Sequence, residues 1–250
     1  MMRKIFLFSL IFLFSFVFFA SAQTVDEIIK KNIEARGGLD KITAVKSMKV
    51  TGKLLTQGIE APVIMFIKRP NLIRMEFTLQ GQSMIRAYNG ETAWWINPFT
   101  GLTDPQKLPE EQAEDLIEQA DMDGSLINYK EKGHQVELIG KEDMEGTEVY
   151  KLKLTLKNGN TRYLYIDSEY FLEIKVVAKI KRQGSEIEVE NYVSDYKEVN
   201  GLMLPFSFDS KIGGNTTEQV TIEKYEMNVD IDDAIFNMPV PEKKQETPQE

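Results

Sequence analysis

The sequence predicts an α+β fold that consists mainly of antiparallel β-sheet. Apolar residues recur at every second position in many segments after Met48, which is the period of a strand with one buried face. Turn signals such as Gln57-Gly58, Asn89-Gly90 and Asn158-Gly159 separate these segments at fairly even intervals, as a series of hairpins requires. Three modest helical stretches complete the pattern, two near the N-terminus and one in mid-chain.

Residues 1–22 have the features of a cleavable signal peptide. A basic start precedes an apolar run over 5–19, and small residues follow before Gln23. The apolar run is shorter than the roughly 20 residues that span a bilayer. We therefore expect cleavage after Ala22 and export of the mature chain.

The composition excludes several partners and chemistries. The formal net charge is −9 at pH 7, and loss of the basic signal peptide makes the mature chain more acidic still. Such a surface repels phosphate backbones, so we expect no nucleic-acid partner. The chain has no cysteine and a single histidine, His134, which excludes disulfides, thiol catalysis and metal sites built from several histidines. We expect no cofactor.

The first helices are predicted from capping and spacing. Thr24 and Glu27 form a capping box, and the apolar residues that follow share one helical stripe until Gly37 and Gly38. This pattern predicts a helix over residues 24–36. A short second helix is expected directly after the glycines.

Changes of pattern set the predicted domain boundaries. Residues 98–130 interrupt the strands with several prolines, and an apolar helical stripe begins after Pro109, so a helical insertion is expected there. The tail 239–250 is polar and rich in proline, which predicts disorder. Residues 23–238 are predicted to form a single domain.

Strict alternation identifies candidates for the buried face of the sheet. That face could close as a sandwich, as a barrel, or by curling partly around the helices, and the last arrangement leaves an apolar concavity. Ordinary core packing explains the same residues, and a measured cavity would separate the two interpretations. The candidates are Met65, Ile67, Ile73, Met75, Phe77, Leu152, Leu154, Ile187, Val189, Leu204, Phe206, Val220 and Ile222.

Three stretches resemble a known family. Residues 66–76 read FIKRPNLIRME, residues 88–99 read YNGETAWWINPF, and residues 192–206 read YVSDYKEVNGLMLPF. In their order and spacing they resemble the LolA/LolB family of periplasmic carriers that sort outer-membrane lipoproteins. In that family a KRPN turn joins two strands, and an aromatic strand ends in NPF before the lid helices.

The resemblance implies both a fold and a function. The implied fold is a strongly curved half-barrel of about eleven antiparallel strands covered by lid helices, the third of the arrangements above. The implied function is a periplasmic carrier, neither an enzyme nor an integral membrane protein, whose apolar interior binds lipoprotein acyl chains or lipid. Inner- and outer-membrane sorting proteins would be its partners.

The resemblance also implies roles for two residues. Arg69, in the KRPN turn, occupies the position of an arginine that latches the lid, although a solvated turn arginine fits the same position. Trp94 is expected to line the cavity, while Trp95 points to the opposite face of the strand.

Other functions remain open at this stage. A lipid or envelope-stress sensor could have the same fold. An envelope hydrolase could use carboxylates from distant strands, and an outer-membrane barrel would show the same alternation, although the charged outer faces and the helices argue against it.

Overall fold

The computed structural model describes residues 23–182 and 185–240. The predicted signal peptide, 1–22, and the predicted tail from residue 241 onward lie outside the described residues. The helices are α1 (Val25–Ala35), α2 (Leu39–Ala44) and α3 (Glu110–Gln119), with 3-10 helices at Pro98–Thr100 and Asp233–Phe236. The strands are β1 (Ser47–Thr56), β2 (Ile59–Lys68), β3 (Leu72–Leu79), β4 (Gln82–Tyr88), β5 (Ala93–Asn97), β6 (Leu102–Lys107), β7 (Gln135–Met144), β8 (Thr147–Thr155), β9 (Thr161–Asp167), β10 (Glu173–Arg182), β11 (Ser185–Val199), β12 (Leu202–Ile212) and β13 (Asn215–Met227).

The first helix begins as its capping residues predict. The Thr24 hydroxyl accepts a hydrogen bond from the Glu27 amide, and the Glu27 carboxylate accepts one from the Thr24 amide (2.8 Å). These two bonds satisfy donors that a helix N-terminus otherwise leaves free. At the other end, the first residue after α1 and its cap is Gly37, whose φ of +119° ends the helix. A Cβ there would lie 2.4 Å from the Gly201 carbonyl oxygen.

The strands form one antiparallel sheet with the order β6-β5-β4-β3-β2-β1-β13-β12-β11-β10-β9-β8-β7. Strands that follow each other in the chain pair with each other, except β6 and β7, which α3 separates, and β13 returns to pair with β1 at the centre. The sheet is not closed, because β6 and β7 are its two edges. This confirms the predicted curved half-barrel α+β fold, and the evidence for its curvature follows from α3 below.

Two details of the prediction were wrong. The described residues contain thirteen strands rather than about eleven. The segment 98–130, expected to be helical, contains the strand β6, which pairs with β5 before α3 begins. Pro105 is compatible with a strand because β6 is at the edge of the sheet and pairs on one side only. The missing N–H of proline therefore removes no hydrogen bond to a second neighbouring strand.

Helices pack on one face of the sheet and form three apolar clusters. Residues of α1 pack on β8 and β9 around Leu152 and Leu164. Residues of α3 pack on β2–β5 around Ile67 and Ile73. The short α2 packs with Leu202 between them. The core therefore lies between the helices and a single face of the sheet.

Candidate functional site: an apolar concave face beneath a helix

The strand register defines one continuous apolar face. Residues directly opposite each other in neighbouring strands share a face, and the pairs Ile67–Ile73 and Met65–Met75 lie on the same face as Leu152–Leu164 at the other end of the sheet. We call this the concave face, because it carries the helices. The opposite, convex face carries alternating lysine and tyrosine side chains on β8–β11, such as Lys151 opposite Tyr165.

Helix α3 bridges the two arms of the sheet, which shows how strongly the sheet curves. One side of α3 packs Leu116 against the cluster that includes Ile73 of β3. The other side pairs Glu118 with Arg162 of β9 (2.5 Å). Seven strand spacings separate β3 from β9, about 34 Å along the sheet, whereas a ten-residue helix is about 15 Å long. The sheet must therefore curl around α3.

The two sides of α3 have different chemistry. The apolar side buries Leu116 and Ala120 completely. The acidic side reaches the β8–β9 hairpin, where Asn158 donates to Glu114 Oε2 (2.9 Å) and Arg162 lies 3.4 Å from Asp115 Oδ1. Asp115 is 42% exposed in its pair with Arg162, and exposed ion pairs contribute about 0–1 kcal/mol each, whereas the pair of Arg162 (23% exposed) with Glu118 (25% exposed) is partly buried. The attachment of α3 to β9 therefore consists of charged and polar contacts, whereas its other side is held by apolar packing.

Arg69 joins the segment after α3 to the end of α2. Its Nη2 lies 2.5 Å from Asp123 Oδ1, its Nε donates to the Val45 carbonyl (2.7 Å), and its Nη2 also donates to the Ile42 carbonyl (3.2 Å). The hydrogen bond from Arg69 lowers the pKa of Asp123. Arg36 donates to the backbone carbonyl of Asp123 (3.5 Å). Arg69 is thus a bound crosslink and not a solvated turn residue.

Most of the predicted face residues lie where alternation predicts. The register puts eleven of them on the concave face, with Val220 and Ile222 of β13 opposite Leu54 and Gly52 of β1. Ile67 and Ile73 are buried beneath α3, and Phe77 is half-buried. The eleven are Met65, Ile67, Ile73, Met75, Phe77, Leu152, Leu154, Ile187, Val189, Val220 and Ile222.

Leu204 and Phe206 of β12 sit near the junction with the helices. Leu204 packs against the cluster formed by α2 and Leu202. Phe206 makes an edge-to-face contact with Tyr225, their ring centroids 5.2 Å apart, and the Lys197 ammonium lies 4.5 Å from its ring centroid. Both side chains are half-buried.

Trp94 lies on the convex face, which corrects the prediction that it points inward. It pairs with Ala87, which in turn pairs with Arg74, and all three are on the side away from α3. Trp94 is fully buried because the 3-10 helix Asp233–Phe236 covers it, and its indole N–H donates to the Phe236 carbonyl (2.7 Å). Trp95 is the tryptophan that packs into the cluster beneath α3.

Ionisable groups interrupt the concave face. Burial raises the pKa of Glu173 to about 7, and Arg36 and Arg162 oppose that rise. Tyr196 donates its hydroxyl to the Glu173 carbonyl (2.7 Å), and burial raises the pKa of Tyr196. Burial also raises the pKa of Glu118, against the effect of Arg162. The interior therefore offers polar groups as well as an apolar surface.

Two cavities adjoin α1. One of 250 Å³ lies between α1 and β10–β12, and Arg36, Glu173, Tyr196 and Leu204 are part of its lining. The other, of 420 Å³, is a groove between α1 and the residues around Leu126. Of the predicted face residues, Leu204 lines one of these two cavities, whereas α3 covers Ile67 and Ile73. Access to the surface beneath α3 therefore requires α3 to move.

Two features were not predicted from the sequence: the acidic side of α3, and the polar residues Arg86 and Asn97 on the concave face. Glu114 and Glu118 are one helical turn apart on the helix, a spacing that could have indicated a common partner. Arg86 alternates with Met84 and Tyr88 on β4, so its inward position could have been found from the same pattern. Its place beneath α3 depends on tertiary structure.

No metal-binding cluster or membrane-spanning helix is found in the part of the chain that the structure describes. Within residues 23–182 and 185–240, no group of three or more His, Cys, Asp or Glu side chains could hold a metal ion. Across the same residues, no helix combines the length and the apolar character needed to cross a membrane.

An open antiparallel half-barrel with helices on its concave face defines the class of fold. Solved structures with this fold include a DUF1329 family protein from Desulfovibrio piger (TM-score 0.61, 12% identity, covering 86% of this chain and 98% of that chain). A LolA superfamily protein from Nitrosomonas europaea is similar over the same shares of the two chains (TM-score 0.58, 15% identity). An outer membrane lipoprotein-sorting protein domain from Vibrio parahaemolyticus covers 84% of this chain and 95% of its own (TM-score 0.56, 10% identity).

The chain has the LolA-like fold. No family model matches its sequence, and no curated protein matches it. At these identities the likeness is one of fold, and it is a fold that lipoprotein-sorting proteins share.

Proposed function

We propose that the protein is a non-enzymatic periplasmic carrier whose concave face binds the acyl chains of lipoproteins or of lipids. The observation that supports it most directly is the two-sided attachment of α3, which packs on an apolar surface on one side and is fixed to the far arm by charged and polar contacts on the other. When α3 swings away from β9, that apolar surface becomes available to a ligand. The LolA-like fold supports the same function.

The energetics suit a carrier. Each methylene that leaves water is stabilised by about 0.8 kcal/mol, so an acyl chain on the concave face can replace the contacts that Leu116 loses. Met65 and Met75 lie on that face beneath α3, and methionine repacks readily around ligands of variable shape. Arg69 keeps the segment after α3 attached to α2 while the helix moves.

The lid mechanism is tested by weakening the polar attachment of α3. Replacing Arg162→Gln removes the ion pairs with Glu118 and Asp115, so we expect faster and tighter binding of a fluorescent long-chain fatty acid. The matched control is Lys153→Gln, since Lys153 lies on β8 on the convex face and pairs there with Glu137. Unchanged binding by the Arg162 variant would contradict a lid role for α3.

The carrier function itself is tested on the native protein. We expect lipid or lipoprotein to be extracted from protein purified from the periplasm and identified by mass spectrometry. Protein that carries no extractable lipid and binds no fatty acid would refute the carrier function. The same preparation shows the position of signal-peptide cleavage, expected after Ala22.

A further inference from the structure

Two buried polar atoms on the concave face have no hydrogen-bond partner among the described residues. They are Arg86 Nε and Asn97 Oδ1. An unsatisfied buried donor or acceptor costs about 1–3 kcal/mol, and most such groups in proteins are paired. Two of them close together therefore need an explanation.

The register puts these two residues on the same face of neighbouring strands, next to α3. Arg86 on β4 lies opposite Trp95 on β5, and Asn97 is two residues further along β5, so Arg86 and Asn97 are diagonal neighbours on one face. Diagonal neighbours are about 7–8 Å apart, a distance that an arginine side chain spans. Met75, opposite Arg86 on β3, and Trp95 provide the apolar surroundings.

Arg86 is half-buried, its Nε is buried, and its guanidinium is weakly bound. Its Nη2 donates to the Gln112 carbonyl of α3 at 3.4 Å, at the long limit for a hydrogen bond. Burial lowers the pKa of Arg86, while the more distant carboxylates of Asp115 and Glu218 favour its charged form. Asp115 is not a dedicated counter-ion of Arg86, because its carboxylate also lies 3.4 Å from Arg162.

We propose that Arg86 and Asn97 form a head-group site for an anionic amphiphile, whose carboxylate or phosphate binds Arg86 while its apolar chain lies along the concave face. This inference rests on the proposed carrier function. A guanidinium offers a planar set of N–H donors that matches two oxygens of a carboxylate or phosphate. The Asn97 amide can present its NH₂ group to a second oxygen after a half-turn of the side chain.

The position of the site explains why a cation occurs in this apolar face. A partly buried cation without a close counter-ion is unfavourable, and an anionic head group supplies that counter-ion at the moment of binding. Met75, Phe77 and Met84 lie on the same face next to Arg86 and offer a half-buried apolar track for the chain. Displacement of α3 also removes the weak bond to Gln112 and frees Nη2.

The test compares ligands that share one chain and differ in head group. Binding of dodecanoate, dodecyl phosphate and dodecanol is measured by calorimetry to the wild-type protein, Arg86→Met and Lys49→Met. Lys49 is the charge-matched control, because it lies on the convex face beside Phe66. The wild type and the Lys49 variant should prefer one of the anions over dodecanol by about tenfold, the value of one charge-assisted hydrogen bond. Whichever anion is preferred identifies the head group as a carboxylate or a phosphate.

In Arg86→Met, the preference for anions should disappear while dodecanol still binds. An anion preference that survives this replacement, or a wild type that binds all three ligands equally, would overturn the inference and leave the carrier function standing. A protein that binds none of the three ligands would refute both. If the methionine variant does not fold, Arg86→Lys serves instead, and it should lower the anion preference because an ammonium lacks the planar pair of donors.

Discussion

Leu116 should hold α3 on the sheet. It is fully buried between α3 and the cluster of Ile67 and Ile73. Replacing Leu116→Ala removes three carbon atoms, about 2.4 kcal/mol of transfer free energy, and the residual cavity raises the cost to about 2–5 kcal/mol. The polar contacts on the other side of the helix are unchanged by this replacement and do not fill the cavity that it leaves.

The effect of Leu116→Ala should be local as well as global. We expect amide hydrogen exchange in α3 (Glu110–Gln119) to accelerate by about 30-fold or more, the equivalent of at least 2 kcal/mol, while exchange in the central strands β1 and β13 changes less. Ile117→Ala is the control, because Ile117 is 40% exposed on the same helix. If amide exchange in α3 changes by no more than exchange in the central strands in both variants, α3 opens only by global unfolding, and the idea that it opens by itself is refuted.

Three further predictions concern charge and packing. In Asp123→Asn, stability should depend less on pH near pH 4: Arg69 lowers the pKa of Asp123, so the native pair stabilises the fold above the unfolded pKa of about 3.9 and this stability is lost as the pH falls. In the wild type, the raised pKa of Glu173 should make stability decrease as the pH rises from 4.5 to about 7, and thermal melts of Glu173→Gln should lack that decrease. Trp94→Phe removes the hydrogen bond to Phe236, so it should cost about 1–3 kcal/mol in urea unfolding and speed exchange in Asp233–Phe236.

Each of these predictions has a clear contrary result. An Asp123 variant with an unchanged acid transition would mean that Arg69 stabilises through its two carbonyl contacts alone. If the Glu173 variant still loses stability between pH 4.5 and 7, another group causes that pH dependence. Trp95→Phe, beneath α3, should leave exchange in Asp233–Phe236 unchanged, and an effect there equal to that of Trp94→Phe would contradict the assignment of faces.

Local signals in the sequence predicted most of the elements. The capping box of Thr24 and Glu27, the turns, and the period of two each depend on neighbours a few residues apart, and the structure shows the corresponding helix and hairpins. The period also assigned Ile67, Met75 and Leu152 correctly to one face, because a side chain in a strand can point to one of two sides only.

The same period could not decide which face each tryptophan takes. Trp94 and Trp95 are adjacent, so one must point each way, and both are large and apolar enough for either side. The choice depends on the 3-10 helix Asp233–Phe236, more than a hundred residues later in the chain, which covers Trp94 and accepts its N–H. A contact at that distance leaves no periodic signal.

The sequence by itself determined a sheet with one apolar face, the capped N-terminal helix and the acidic, cysteine-free character of the chain, because these properties depend on residue type and short spacing. Only the tertiary structure decided how far the sheet curls, that α3 joins β3 to β9, and that Arg86 Nε and Asn97 Oδ1 are buried without a hydrogen-bond partner. The curl of the sheet and the position of α3 arise from contacts between residues far apart in the chain, which leave no signal in short spacings, and α3 in turn covers the face that carries Arg86.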